Sequence, residues 1–295
     1  MSSCPLLPIE VSPAARPEQR ADGPAHIARA FAAARAEGRP ALMPYFTLGY
    51  PDLATSRAIV HALAAAGADL IELGVPFSDP LADGPTIQRA SHVALSRGTT
   101  LARCLELTAR LRDDGVQQPL LLMSYVNPIL AWGLARFVAD AVDVGADGLI
   151  IPDLPPEEAE ELEGMCRSTG LALVYLAAPT SSPERLAMAA ARTQGFLYLV
   201  SLTGVTGARA ALPAGLAAFV QRARRVAKTP LAVGFGISTP EQARAVGQVA
   251  DGVIVGSALL DAVRASADPV RAAGDFLRRL RLALGAVYQM PGERL

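Results

Sequence analysis

Short apolar runs and longer stretches of helical periodicity alternate along this chain. The runs are ALMPYF (41–46), LIELG (70–74), LLLMS (120–124), GLIIP (148–152), LALVYL (171–176), FLYLV (196–200), LAVGF (231–235) and GVIVG (252–256). Between them, Ser56–Ala66, Ala102–Arg112, Leu134–Val144, Pro156–Thr169, Pro183–Arg192, Ala214–Ala227 and Pro240–Val249 carry Ala, Leu and Arg at helical spacing, and a last helix covers Pro269–Leu284. Strands buried on both faces read as continuous apolar runs, and strands joined through helices are parallel. Eight such units predict closure into a single α/β barrel of the (β/α)8 (TIM) type. A doubly wound open sheet is the alternative, but no GxGxxG follows the first run. A further helix near His26–Glu37 precedes the first strand and is placed to plug the barrel floor. Residues 1–22 read as a disordered extension rich in Pro and Ala, and residues 23–295 as the catalytic barrel.

Composition narrows the function more than the fold. Hydrophobic residues make up 51% and charged residues 19%, enough apolar material for a large core. Net charge is −1, from 27 Lys+Arg against 28 Asp+Glu, which argues against nucleic acid or an anionic membrane as partner. Cys4, Cys104 and Cys166 are far apart and match no metal or disulfide pattern, so neither a metal nor a disulfide framework is expected. The N-terminus lacks the basic segment of a signal peptide. The most hydropathic stretch, Pro119–Phe137, is interrupted by Ser124, Asn127, Pro128 and Arg136, so no membrane span is expected. A cytoplasmic location fits these features.

Barrel chemistry sits at the C-terminal strand ends. Glu72 is the least expected residue there, flanked by Leu70, Ile71 and Leu73. Burial of an unpaired carboxylate is costly, so a Glu facing the interior should be neutral and suited to acid–base work; a Glu bonded to a neighbouring strand is the structural alternative. Asp83 lies in PLADGP of the following loop, where it could equally mark a turn or start a helix. The glycines after runs six to eight (Gly204, Gly207, Gly234, Gly236 and Gly256, with Ser257) fall where barrels hold phosphate on backbone amides. Tyr45, Tyr125 and Tyr198 stand at or near strand ends beside Met123, Ile151, Leu199 and Phe235, which suggests a flat apolar pocket, although core packing would use the same residues. His26, His61 and His92 form no triad, and Trp132 reads as packing.

These residues carry a resemblance. LIELGVPFSDPLADGPTIQ (70–88) closely resembles the signature of the tryptophan synthase α subunit family, and MPYFTLGYPD (43–52), GLIIPDLPPEE (148–158), SLTGVTG (201–207), GFGIS (234–238) and VGSA (255–258) match it in the same order. The resemblance implies retro-aldol cleavage of indole-3-glycerol phosphate to indole and glyceraldehyde 3-phosphate. It puts the catalytic carboxyls on Glu72 and Asp83, and the substrate pocket on Tyr45, Tyr125 and Tyr198. Thr206 falls in a loop that closes over the site. The phosphate amides fall on Gly207, Gly236, Gly256 and Ser257, and Asp153 supports the mouth. It implies no metal and no cofactor on this chain. Pyridoxal phosphate belongs to a β-subunit partner in an α2β2 assembly, to which indole passes. Leu202 and Tyr50 depart from residues, Arg and Asp, that some relatives carry. Two other readings share the fold: a stand-alone indole-releasing lyase, and a non-catalytic barrel that supports β allosterically.

Overall fold

The strands all run parallel in one sheet whose two ends are the same stretch of chain. The structure is a computed structural model that describes residues 22–200, 215–234 and 236–285. Its strands are β1 (Ala41–Thr47), β2 (Ile71–Gly74), β3 (Leu120–Met123), β4 (Gly148–Ile150), β5 (Ala172–Val174), β6 (Leu176–Ala177), β7 (Leu197–Val200), β8 (Leu231–Gly234) and β9 (Gly252–Val255). Sheet order is β5-β4-β3-β2-β1-β9-β8-β7-β6. Only Tyr175 separates β5 from β6, and its carbonyl accepts a bond from the Tyr198 N–H at 3.0 Å. The nine strands are therefore eight barrel staves, the fifth broken at one residue, and the sheet closes on itself. Each of the eight apolar runs holds one stave.

The helices are α1 (Gly23–Ala36), α2 (Leu53–Ala65), α3 (Pro85–Ser96), α4 (Leu101–Asp113), α5 (Val126–Trp132), α6 (Leu134–Asp143), α7 (Glu160–Thr169), α8 (Pro183–Arg192), α9 (Leu216–Arg224), α10 (Pro240–Gly247), α11 (Ser257–Arg264) and α12 (Pro269–Leu284). Polar side chains start many of them. Asp52, Thr100, Ser182, Thr239 and Asp268 each accept a bond from a backbone N–H of the first turn, and Thr239 completes a capping box with Gln242. The expected helix from Pro156 instead begins as a 3-10 turn, Pro156–Glu158, before α7. The short α5 was not foreseen: seven residues containing Asn127 and Pro128 carry too little periodicity to register.

Helix α1 closes the floor, as its position before β1 suggested. Ile27 and Phe31 are buried, and the Phe31 ring lies 5.7 Å from that of Phe196. A Cβ on Gly252 would meet Phe31 and Met43, so β9 starts with a glycine to admit the plug. Around this floor one device recurs. Asp69, Asp147 and Asp251, each just ahead of a strand, accept a bond from the first or second N–H of a neighbouring strand: Leu42 at 2.7 Å, Leu120 at 2.8 Å and Leu231 at 2.8 Å. Each also binds an arginine, respectively Arg39, Arg112 and Arg224. The opposite end of the barrel is left to the loops that carry the candidate chemistry.

Candidate active site

Glu72 sits in the middle of β2, fully buried, with neither carboxyl oxygen bonded to a partner among the described residues. Burial alone pushes its value up to about 8 from the ordinary 4.5. At pH 7 it is protonated about ten to one. Its register partner on β1 is Tyr45. Tyr45 is buried too, and its hydroxyl pairs with the Thr47 hydroxyl at 3.3 Å. Burial raises the Tyr45 hydroxyl value first, and then the nearness of Asp83, Tyr125 and Glu72 raises it further. The barrel interior is thus the side on which Glu72 lies.

Two strand-end glycines make room for this arrangement. A Cβ on Gly74 would collide with the Tyr45 hydroxyl, and one on Gly234 would come within 2.5 Å of the Tyr198 hydroxyl. The geometry is the same in both cases. Gly74 pairs with Thr47, two residues beyond Tyr45, and Gly234 with Val200, two residues beyond Tyr198. Each tyrosine leans along the strand tilt over the glycine of the next stave. Gly234, read from sequence with the phosphate glycines, is needed for packing under Tyr198. Gly74 and Thr47 were missed in the sequence, although each stands two residues beyond a singled-out residue on the same strand face.

Asp83 reaches the same space from outside the barrel. It lies half-buried in the loop before α3. Tyr125, at the start of α5, holds this loop: its hydroxyl oxygen accepts the Ala82 N–H at 3.0 Å and its O–H donates a hydrogen bond to the Asp83 carboxyl. The Phe77 ring, 5.4 Å from that of Tyr125, packs beneath. Asp153 accepts the Val126 N–H at 3.0 Å and so fixes the first turn of α5, in line with a supporting place at the mouth. Burial pushes the Asp83 value up to about 6, and the Tyr125 bond works against that rise. The two carboxyls therefore stand on opposite sides of neutrality: Glu72 chiefly protonated and Asp83 chiefly ionised at pH 7. Tyr198, buried, feels Glu72, Tyr45 and Asp83 in turn, so these groups lie near one another.

On the other side of the mouth, Gly236 has φ +79°, where a side chain would be strained. Gly256 precedes α11 and has no such φ; its constraint is the Tyr45 ring, whose Cδ1 a Cβ would approach to 3.2 Å. Helix α11 starts at Ser257 without a side-chain cap, leaving first-turn amides for an anion. Thr206, Gly207, Gly204, Leu202 and Phe235 lie outside the described residues, as does the extension before Asp22.

The remaining polar residues serve the framework. His26 bonds Asp147 at 2.8 Å, His61 bonds Asp114 at 2.7 Å, and the Trp132 indole N–H donates to Asp140 at 2.7 Å. Among the described residues no group of His, Cys, Asp and Glu gathers into a metal set, and no helix is long and apolar enough to cross a membrane.

Comparison with known proteins matches this geometry to one family. The family model of the tryptophan synthase alpha chain matches residues 31–281. The chain is 53% identical over 257 residues to the tryptophan synthase alpha chain of Roseiflexus sp. (strain RS-1), covering 86% of this chain and 98% of that one. It is 56% identical over 234 residues to that of Geobacter sp. (strain M21), covering 79% and 87%. Among solved structures, tryptophan synthase subunit alpha from Legionella pneumophila str. Paris superposes with a TM-score of 0.83 at 39% identity, covering 89% and 99%. A Mycobacterium tuberculosis tryptophan synthase chain gives 0.82 at 37%, covering 88% and 98%.

Proposed function

This chain belongs to the tryptophan synthase α-chain family, and from that premise we propose that Glu72 and Asp83 are the groups with which it cleaves indole-3-glycerol phosphate. The family is a lyase of tryptophan biosynthesis that releases indole and glyceraldehyde 3-phosphate and works with a β subunit.

The observation that carries the residue roles is the split of the two carboxyls about neutrality. Cleavage of the bond between indole C3 and the glycerol chain needs C3 protonated, so that indole leaves neutral. Protonated Glu72 gives that proton to C3. The indolenine so formed carries positive charge at its ring N–H, and ionised Asp83 accepts that N–H and stabilises the charge. The side-chain hydroxyl next to the breaking bond then gives its proton back to Glu72 as it becomes the aldehyde. The bonding pair returns to the indole ring, and Glu72 is regenerated. Tyr45, Tyr125 and Tyr198 offer flat apolar walls to the indole. Gly236, Gly256 and Ser257 offer backbone amides to the phosphate, and by resemblance Gly207 adds another and Thr206 belongs to the loop that covers the site.

The chain acts with a β subunit in an α2β2 assembly, in the cytoplasm, with pyridoxal phosphate on β. By resemblance, the loop after β2 lies near that partner. The test is indole release by the purified chain with and without β. Glu72→Gln and Asp83→Asn should each lose most of the rate while keeping the fold. If the wild-type chain releases no indole in either condition, the barrel is a non-catalytic support for β. Full activity without β would favour a stand-alone lyase. Substantial activity in Glu72→Gln would overturn its role.

A further inference from the structure

Helix α3 begins two residues after Asp83, so whatever fixes its first turn fixes how far Asp83 reaches over the mouth. That turn has no cap from its own N-terminal residue: Gly84 has no side chain and Pro85 no N–H. The Gln88 amide reaches back to the Asp83 carbonyl at 2.8 Å, a bond internal to the segment that does not tie it to the barrel. Two bonds do. One is Tyr125, already described. The other comes from the opposite side: the Thr86 hydroxyl donates to Asp261 Oδ2 at 3.3 Å.

Asp261 lies on α11, four residues beyond Ser257. Its other oxygen, Oδ1, faces the Arg264 guanidinium at 3.4 Å, which keeps the carboxylate turned toward α3. The Tyr50 hydroxyl lies in the field of Arg264, Arg89 and Asp261, so residues from the loop after β1, from α3 and from α11 meet at this junction. Tyr50 is buried and its ring lies 6.4 Å from Phe46 of β1, which anchors the junction to the barrel wall.

We propose that Asp261 is a positioning residue for the reaction. It holds the first turn of α3 through Thr86, and so sets the place of Asp83 from the helix whose N-terminus faces the substrate phosphate. This rests on the reading of Asp83 as the group at the indole N–H. Neither Thr86 nor Asp261 touches substrate. Their loss lets the Asp83 segment drift while leaving Gly256 and Ser257 in place, so the turnover rate falls and substrate binding through phosphate holds.

The experiment measures kcat and KM for indole release, with thermal midpoints, in the chain with β. The variants are Thr86→Val, Asp261→Ala, their double, Thr86→Ser and Asp261→Asn, with Asp83→Asn alongside. Thr86→Val and Asp261→Ala should each lower kcat about fivefold, in keeping with one partly exposed bond to a charged group. KM should stay within about twofold. The double variant should be no worse than either single one, and Thr86→Ser and Asp261→Asn, which keep a donor and an acceptor, should recover most of the rate. Wild-type kcat in Thr86→Val, multiplying losses in the double variant, or a rise in KM alone would each overturn it. If Asp83→Asn keeps its activity, the reading of Asp83 fails; if Asp83→Asn is inactive while Thr86→Val matches wild type, only the present inference fails.

Discussion

Glu72 and Asp83 make opposite demands on pH. In the proposed roles Glu72 has to keep its proton, which it does below about 8, and Asp83 has to lose its proton, which it does above about 6. The plot of kcat/KM against pH should therefore be a bell with limbs near those two values, and the residual activity of Asp83→Asn should lack the acid limb. Stability gives a second test. The folded-state value of Glu72 lies above its ordinary 4.5. Between 4.5 and about 8 the unfolded chain releases this proton while the folded chain retains it. The contribution of Glu72 is thus fully present below about 4.5 and is lost as pH rises toward 8, by on the order of 5 kcal/mol. Glu72→Gln removes that loss. Its unfolding free energy relative to wild type should rise steadily from pH 5 to 8 in urea titrations; a difference that stays flat with pH would mean that Glu72 is not held neutral. The same residue was legible in sequence because a carboxylate inside an apolar run breaks the pattern. Asp83 was legible only through the resemblance of the 70–88 run, because Asp-Gly-Pro is ordinary turn chemistry and nothing local marks a carboxyl that reaches a neighbour 42 residues further along the chain.

At the scale of elements, the loop after β2 is held by groups that belong to other staves. Tyr125 of the β3 end accepts the Ala82 N–H and donates a hydrogen bond to Asp83. Tyr125→Phe should leave the apolar wall intact and release both bonds. We expect kcat about tenfold lower and an acid limb moved above 6, since the Tyr125 bond is what restrains the rise of the Asp83 value. Steady-state profiles of this variant check both; an unmoved acid limb would show that the bond does not act on Asp83. The strands and long helices were legible from periodicity alone. Helix α5 and the break at Tyr175 were not, because a seven-residue helix and a one-residue gap leave no periodic trace. The glycines divide likewise. Gly236 is required by its own backbone conformation, while Gly74, Gly234 and Gly256 are required by rings from the neighbouring strand, which only the register reveals.

Over the whole molecule, chemistry and stability occupy opposite ends of the barrel. The proposed site groups Glu72, Asp83, Gly236 and Ser257 lie toward the C-terminal side of the strands, while the Asp–Arg clasps and α1 lie at the floor. Asp147 there accepts from the Leu120 N–H, His26 and Arg112 together. Asp147→Ala leaves the buried Leu120 N–H without its side-chain acceptor, while the partly exposed Arg112 keeps its bonds to the Gly145, Val116 and Gln118 carbonyls, so it should lower the free energy of unfolding by about 1–3 kcal/mol. The turnover rate per folded chain should be unchanged. A chemical denaturation curve and a kcat normalised to folded protein check this, and a large fall in normalised kcat would show that the floor and mouth are coupled.

The sequence by itself determined the stave count, the parallel sense, the plug helix and Glu72, because each follows from local periodicity or from a local exception to it. The tertiary structure alone decided that Asp83 meets Tyr125, that Tyr45 and Tyr198 lean over Gly74 and Gly234, and that three aspartates clasp three arginines around the floor. These pairs lie far apart in the chain or depend on strand tilt and register. They exist only once the sheet has closed, and closure is a property of all eight staves at once.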